Sequence, residues 1–139
     1  MGLINSILFG DRTPAMLKTA LDLNAHKASV HAANIANVET PGFKTTRFEF
    51  EGALRDAIDG SAMPMKITHP GHFGAPMQDI RSIKGVTDVD LTQGRIDGNN
   101  VDMEKEVTAF SETNIAYDAA ITAMNKRTGI IRSAITDIR

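Results

Sequence analysis

Four histidines and seventeen carboxylates are the side chains of this 139-residue sequence best equipped for chemistry. His69 and His72 stand three apart, a spacing that on a helix would aim both rings at one metal ion. Pro70 and Gly71 lie between them and deny the pair that helix. No Cys or acidic neighbour completes a ligand set, so no metal site is expected. Asp88, Asp90, Asp97 and Asp102 read as solvated turn and cap residues rather than an acid–base pair. No glycine-rich loop ending in Lys-Ser or Lys-Thr precedes a helix, so phosphate cradling has no support. The absence of Cys removes disulfides, thiolate zinc sites and cysteine nucleophiles together. No enzyme, cofactor or small-molecule substrate is expected.

The bulk charge excludes a further class. A formal net charge of −2 gives no basic excess to draw the chain onto phosphate backbones, so nucleic acid is not an expected partner. Aromatic residues make up only 5% of the chain, with no Trp and the single Tyr117. Burial must then rely on Leu, Ile, Val, Met and Ala, which suits helix-on-helix packing.

Two segments carry that packing. From Pro14 to Val38, Leu17, Leu21, Asn24, Ala28, His31, Ile35 and Val38 alternate in steps of four and three, forming a heptad seam. Thr13 reads as the cap with Pro14 at the first helical position, and the helix should stop near Asn37. The second seam runs through Met103, Val107, Phe110, Asn114, Tyr117, Ile121, Met124, Thr128, Ile131, Ile135 and Ile138. Gly98-Asn99-Asn100 supplies its turn and cap. Asp102, Glu104 and Glu106 open the helix, while Lys126, Arg127, Arg132 and Arg139 lie towards its far end, an order that favours the helix macrodipole.

Residues 43–98 differ in character. Phe48, Phe50, Leu54, Ala57 and Ile58 fit one short helix, and Met65–Thr68 and Val86–Leu91 fit extended pieces in a region rich in Gly and Pro. The expected fold is mainly α, with long N- and C-terminal helices packed as a coiled coil around a loop-rich insert containing short extended segments. Its parts are residues 1–42 (N-terminal segment and first helix), 43–98 (insert) and 99–139 (last helix), a single domain made from the terminal helices.

The C-terminal seam outruns the N-terminal one, so the two cannot bury each other completely. Leftover apolar surface must pair with a neighbour. Asn24, His31, Asn114 and Thr128 interrupt the seams. Polar seam residues either fix register and partner or are tolerated at half-exposed positions. Leu3, Ile4, Ile7, Leu8 and Phe9 suggest a short segment docking on a neighbouring subunit; flanking Lys or Arg for a membrane surface is missing. The opening MGLINSILFGDRTP has no basic n-region, so any export is expected to proceed without a cleaved signal peptide.

The first helix runs into its turn as VHAANIANVETPGFK, residues 30–44. Ala33-Asn34-Ile35-Ala36-Asn37 followed by Thr40-Pro41-Gly42-Phe43-Lys44 resembles the signature of the flagellar axial proteins, the family of rod, hook and hook-associated proteins. Asn34 and Asn37 suit the orphan carbonyls and turn amides where a helix stops, Pro41-Gly42 preset a tight turn, and Phe43 can fold back on the helix end. Phe43 stands where the family more commonly has Tyr. Asp97-Gly98-Asn99-Asn100-Val101-Asp102-Met103-Glu104-Lys105-Glu106 is similar to the family's approach to its last helix. The likeness covers roughly residues 14–58 and 95–139, and the chain length fits the short rod members.

That resemblance implies a structural subunit of the proximal rod in the periplasmic basal body, exported uncleaved by the flagellar type III system. Partners would be further copies of itself, FlgC, FlgF, FliE, the MS-ring and the export gate. The terminal helices would line a tube that transmits motor torque and passes exported subunits. Leu17, Leu21, Ala28, Ile35, Val107, Phe110, Tyr117, Ile121, Met124, Ile131 and Ile135 are the expected assembly seam. Two alternatives stay open: an FlgC-type rod subunit, and a soluble helical binding module forming a defined dimer.

Overall fold

The computed structural model describes residues 12–59 and 79–136. The apolar run Leu3–Phe9, the Met65–Thr68 piece, the His69/His72 pair and Ile138 therefore lie outside the described residues. In chain order the elements are helix α1 (Thr13–Ala36), strand β1 (Thr46–Glu49), helix α2 (Glu51–Asp59), a 3₁₀ turn (Ile80–Ser82), strand β2 (Val86–Val89) and helix α3 (Met103–Thr136).

Helix α1 starts one residue earlier than the sequence suggests. Arg12 takes the cap position and Thr13 is already helical, with Pro14 in the first turn where its missing N–H costs nothing. Helix α3 is longer, at 34 residues against 24, which at 1.5 Å per residue makes it about 51 Å long. The Asp102 carboxylate accepts from the Lys105 N–H at 3.3 Å at its start, so the cap falls to Asp102 rather than to Gly98-Asn99-Asn100. Glu104 and Glu106 lie in its first turn, no cation lies in the last turn of its described residues, and Arg139 is outside them.

The two long helices lie against each other and run antiparallel. Glu106, in the first turn of α3, meets His31 and Asn34 near the end of α1. At the opposite pole Met124 shares a surface groove with Pro14, Lys18 and Thr19. Between them in sequence sits a two-stranded antiparallel sheet, Thr46 opposite Val89 and Glu49 opposite Val86. The fold is mainly helical, as expected.

Its core does not follow the seam. Leu23, Phe48, Phe50, Ala57, Ile80 and Ile83 form the buried cluster, and Met16, Val30 and Leu54 pack against it. Met16, Leu23 and Val30 are spaced by seven along a face of α1 beside the Leu17–Leu21–Ala28–Ile35 row. Helix α1 is thus two-sided: one face carries the insert, and the seam face is half-buried along α3. The insert is structural packing and not an appendage of the helical pair.

Phe48 requires a second correction. It belongs to β1 and Phe50 to the junction, with only Glu51–Asp59 helical. Alternation explains this: on β1 Phe48 is buried while Arg47 and Glu49 are exposed. The Phe48 ring packs edge-on to His26 at 4.5 Å between centroids. Each fully buried side chain of this size contributes about 1.5–3 kcal/mol. A Cβ on Gly85 would run into the Phe48 ring, which explains glycine beside β2.

Leu23→Ala should cost about 2–5 kcal/mol, read as a shift of the urea-unfolding midpoint. The same change at half-buried Leu17 should cost clearly less. Equal costs would place the core on the α1–α3 seam instead.

Candidate functional site

The most completely buried side chains among the described residues are two asparagines, Asn34 and Asn99, both 0% exposed. Buried amides must be paired, and each of these is saturated. The Asn34 Oδ1 accepts from the Thr46 N–H at 3.0 Å while its Nδ2 donates to the Thr46 carbonyl at 2.8 Å. The side chain acts as a short stretch of strand, holding the first residue of β1 on α1. The second Nδ2 proton goes to Glu106 Oε2 at 3.1 Å, and that same oxygen meets His31 Nδ1 at 2.7 Å. A carboxylate only accepts, so Nδ1 carries the proton. Glu106 thereby fixes the first turn of α3 to the last turns of α1.

Asn37 does the local work at the helix stop. Its Nδ2 donates to the Ala33 carbonyl at 2.8 Å, and its Oδ1 accepts from the Thr40 hydroxyl at 3.2 Å. The Thr40 N–H returns to the Asn37 carbonyl and the Phe43 N–H to the Thr40 carbonyl. Gly42, at φ +74°, makes the left-handed step that a side chain would strain, and its N–H reaches the Asp97 carbonyl at 2.9 Å. Phe43 is half-buried.

The rest of the turn is satisfied from the far side of the chain. Asn99 Nδ2 lies 2.9, 3.1 and 2.9 Å from the carbonyls of Asn37, Val38 and Thr40, its two protons shared among three acceptors. Its Oδ1 accepts from the Val101 N–H at 2.7 Å. Asn100 repeats the strand-like pairing of Asn34: Oδ1 accepts from the Thr45 N–H at 2.7 Å, and Nδ2 donates to the Asp90 carbonyl at 2.8 Å. Arg95 adds contacts to the Val38 and Val101 carbonyls. Gly94 cannot gain a side chain, since its Cβ would meet the Asn99 carbonyl and the Asn100 backbone.

The signature residues Asn34, Asn37, Thr40, Pro41, Gly42 and Phe43 are therefore gathered in one junction. Asn34 differs from the role read in the sequence, since it binds strand and carboxylate and not the helix end. Asn99, Asn100 and Glu106 were missed as members of the junction. The signal was present in a doubled Asn where a cap needs only one.

The seam residues divide. Leu17, Leu21, Ala28, Ile35, Phe110, Tyr117, Ile121, Met124 and Ile131 are half-buried, whereas Val107 is 43% and Ile135 63% exposed. On α3 the covered face is turned by one position, so Glu106, Thr113 and Arg127 take places expected for Val107, Asn114 and Thr128. The tether from Glu106 to His31 and Asn34 sets that rotation. Buried Thr113 is accommodated by its hydroxyl donating to the Ala109 carbonyl at 2.8 Å.

An open groove of about 490 Å³ lies beside the junction, lined by His31, Arg47, Glu51, Lys105, Glu106 and neighbouring residues. Its charges are largely committed: Lys27 pairs with Glu51, Arg47 with Asp90 at 2.6 Å and Lys105 with Asp102 at 2.9 Å. For Glu51, burial pushes the pKa up, but hydrogen bonds from Lys27 and the Phe50 and Glu51 backbones outweigh it, leaving the carboxyl below its ordinary value. Hydrogen bonds from Thr92 lower Asp90, and those from Lys105 lower Asp102. Asparagines spent on backbone and carboxylates spent on cations fix these elements to one another.

A junction of this kind, closing a pair of long helices, defines a structural subunit. The family described as flagella basal body rod protein matches residues 17–44, the span that ends in the junction turn. Comparison over most of the chain is more particular. The flagellar basal body rod protein FlgB of Yersinia ruckeri is 33% identical over 115 residues, covering 76% of this chain and 80% of that protein. FlgB of Salmonella typhimurium is 32% identical over 132 residues, 84% of this chain and 90% of that protein. FlgB of Bacillus subtilis is 27% identical over 120 residues, 86% and 90% respectively. The chain belongs to the FlgB family of flagellar basal body rod proteins, which is structural and non-enzymatic. That membership replaces the FlgC-type alternative.

Asn99→Ala should remove a donor from three carbonyls and an acceptor from one N–H. The expected loss is about 2–4 kcal/mol, seen in urea unfolding. Wild-type stability would mean that water serves the turn equally well. A second expectation concerns acid. Glu51, Asp90 and Asp102 are lowered in the folded state, so their stabilisation is complete above the ordinary carboxylate range of about 4 and is lost as pH falls through the folded values. Thermal midpoints should fall steadily below about pH 4; a flat profile would discount these pairs.

Proposed function

We propose that this chain is a subunit of the proximal rod that polymerises through its terminal helices into the tubular drive shaft, transmitting motor torque and letting exported subunits pass. In this reading it reaches the periplasm through the flagellar export system without signal cleavage. Its neighbours are other copies, FlgC, FlgF and FliE, with the MS-ring and export gate close by. Leu17, Leu21, Ala28, Ile35, Val107, Phe110, Tyr117, Ile121, Met124, Ile131 and Ile135 form the helical seam on which assembly depends, and the asparagine junction holds that seam in one geometry.

One observation carries the reading. The last turns of α3 continue beyond the part that faces α1, and Ile130 and Ile135 are 70% and 63% exposed there. Ile135 continues the half-buried row Phe110–Tyr117–Met124–Ile131, so the same apolar face emerges uncovered among the described residues. Burial of each such side chain against a neighbour contributes about 1.5–3 kcal/mol, and several copies in a closed tube multiply it.

Ile135→Asp tests this without touching the fold. Because the site is exposed, urea unfolding of the variant should stay within about 0.5 kcal/mol of wild type. Swimming in soft agar and recovery of intact basal bodies should nevertheless be lost, with the protein still expressed and exported. Normal motility would show that the α3 end is not an assembly surface.

A further inference from the structure

We infer that copies of this chain associate head to tail through a charge gradient on α3, the basic far half of one copy lying against the acidic near half of the next. The inference rests on the reading that the chain assembles through its terminal helices, and it names the partner and the force. Residues 103–118 hold Glu104, Glu106, Glu112 and Asp118 against Lys105 alone; residues 119–136 hold Lys126, Arg127 and Arg132 and no carboxylate.

Among the described residues, neither the helix macrodipole nor intrahelical pairing accounts for Glu112, Asp118, Lys126 and Arg132. The macrodipole acts only over the first and last turns, yet Glu112, Asp118, Lys126 and Arg132 lie inside the described helix and outside its first and last turns. Intrahelical pairing fails too: three and four residues either side of Glu112, Asp118, Lys126 and Arg132 there is no opposite charge. Glu104, Glu112, Asp118, Lys126 and Arg132 are exposed, and none has an ion-pair partner among the described residues.

The basic half coincides with the apolar overhang of Ile130 and Ile135, so one surface offers both area and sign. Its complement is present on the same molecule, displaced by about 25 Å along the helix at 1.5 Å per residue. A surface and complement at different places on one chain make a heterologous contact, which extends from copy to copy and does not close at a pair. The opposed charges set the direction of stacking and the offset, and like charges penalise the reverse stacking.

Sedimentation velocity of the full chain at rising concentration tests this in about 0.05 M and about 0.5 M salt. The wild-type chain should pass beyond dimer at low salt, with association at least about tenfold weaker at high salt. The variant Lys126→Glu with Arg132→Glu, and separately Glu112→Lys with Asp118→Lys, should each associate about tenfold less tightly than wild type, while an equal mixture recovers. Circular dichroism should show the same helix content in all three. A wild-type chain that stays monomeric, stops at dimer or ignores salt overturns the inference, as does a mixture no better than its components. None of those outcomes bears on Ile135→Asp, which reports assembly with any neighbour, so the two readings fail separately.

Discussion

Where a helix stops inside folded protein, its last carbonyls point at whatever comes next, and leaving them without donors costs as much as a lost hydrogen bond apiece. At the end of α1 the carbonyls of its cap Asn37 and of Val38 and Thr40 in the turn beyond converge on one side-chain nitrogen, that of Asn99, contributed from about sixty residues further along. The rest of the structure follows from that convergence. Because Asn99 must sit inside the turn, the approach to α3 is threaded beside the end of α1. Asn100 then faces Thr45, and Glu106, in the first turn of α3, falls within reach of His31 and Asn34. The antiparallel pairing of the two long helices is thus imposed from one end, by polar contacts of fixed geometry.

This division of labour explains why the helices pack with so few large apolar side chains. An apolar seam specifies that two helices meet but tolerates rotation about their axes. The Glu106 tether does not tolerate it, and it selects the face containing Thr113 and Arg127 over the more apolar face containing Val107. The apolar side chains displaced by that choice, Val107 and Met103, remain exposed. Specificity therefore outweighs maximal burial at the α1–α3 contact, while the insert supplies the dry core through Phe48, Phe50, Ile80 and Ile83 on the other side of α1.

Much of this could be seen in the residues themselves, and the parts that could not share a cause. Both long helices follow from local periodicity, and the stop at Asn37 from Thr40-Pro41-Gly42, because each depends on neighbours a few positions away. Phe48 was misplaced since Phe50, Leu54 and Ala57 lie at helical spacing from one another, and only pairing with β2, some forty residues on, pulls Phe48 into a strand. The row Met16–Leu23–Val30 is as well spaced as Leu17–Leu21–Ala28–Ile35, and periodicity alone has no means of ranking two adjacent faces of one helix. Asn34, Asn99 and Asn100 were visible as unusual amides, but their partners are backbone groups that carry no sequence signal.

The two poles of the molecule consequently differ in kind. At the junction the two most buried amides, Asn34 and Asn99, are satisfied within the chain and tie α3 to the end of α1. At the other pole α3 runs on past α1 with Ile130 and Ile135 exposed, and Lys126 and Arg132 have no ion-pair partner among the described residues. A subunit tethered at one end and projecting at the other has a built-in direction, since the tethered end fixes the geometry in which the projecting end is presented. Stiffness follows from the same arrangement. A load applied to the α3 overhang passes along a continuous hydrogen-bonded helix to the Glu106 and Asn99 contacts, which resist rotation in a way that an apolar seam does not. Those contacts are short-range and directional, so they yield only by breaking. The torque transmission proposed above requires such a failure mode, with no gradual slip between the two long helices.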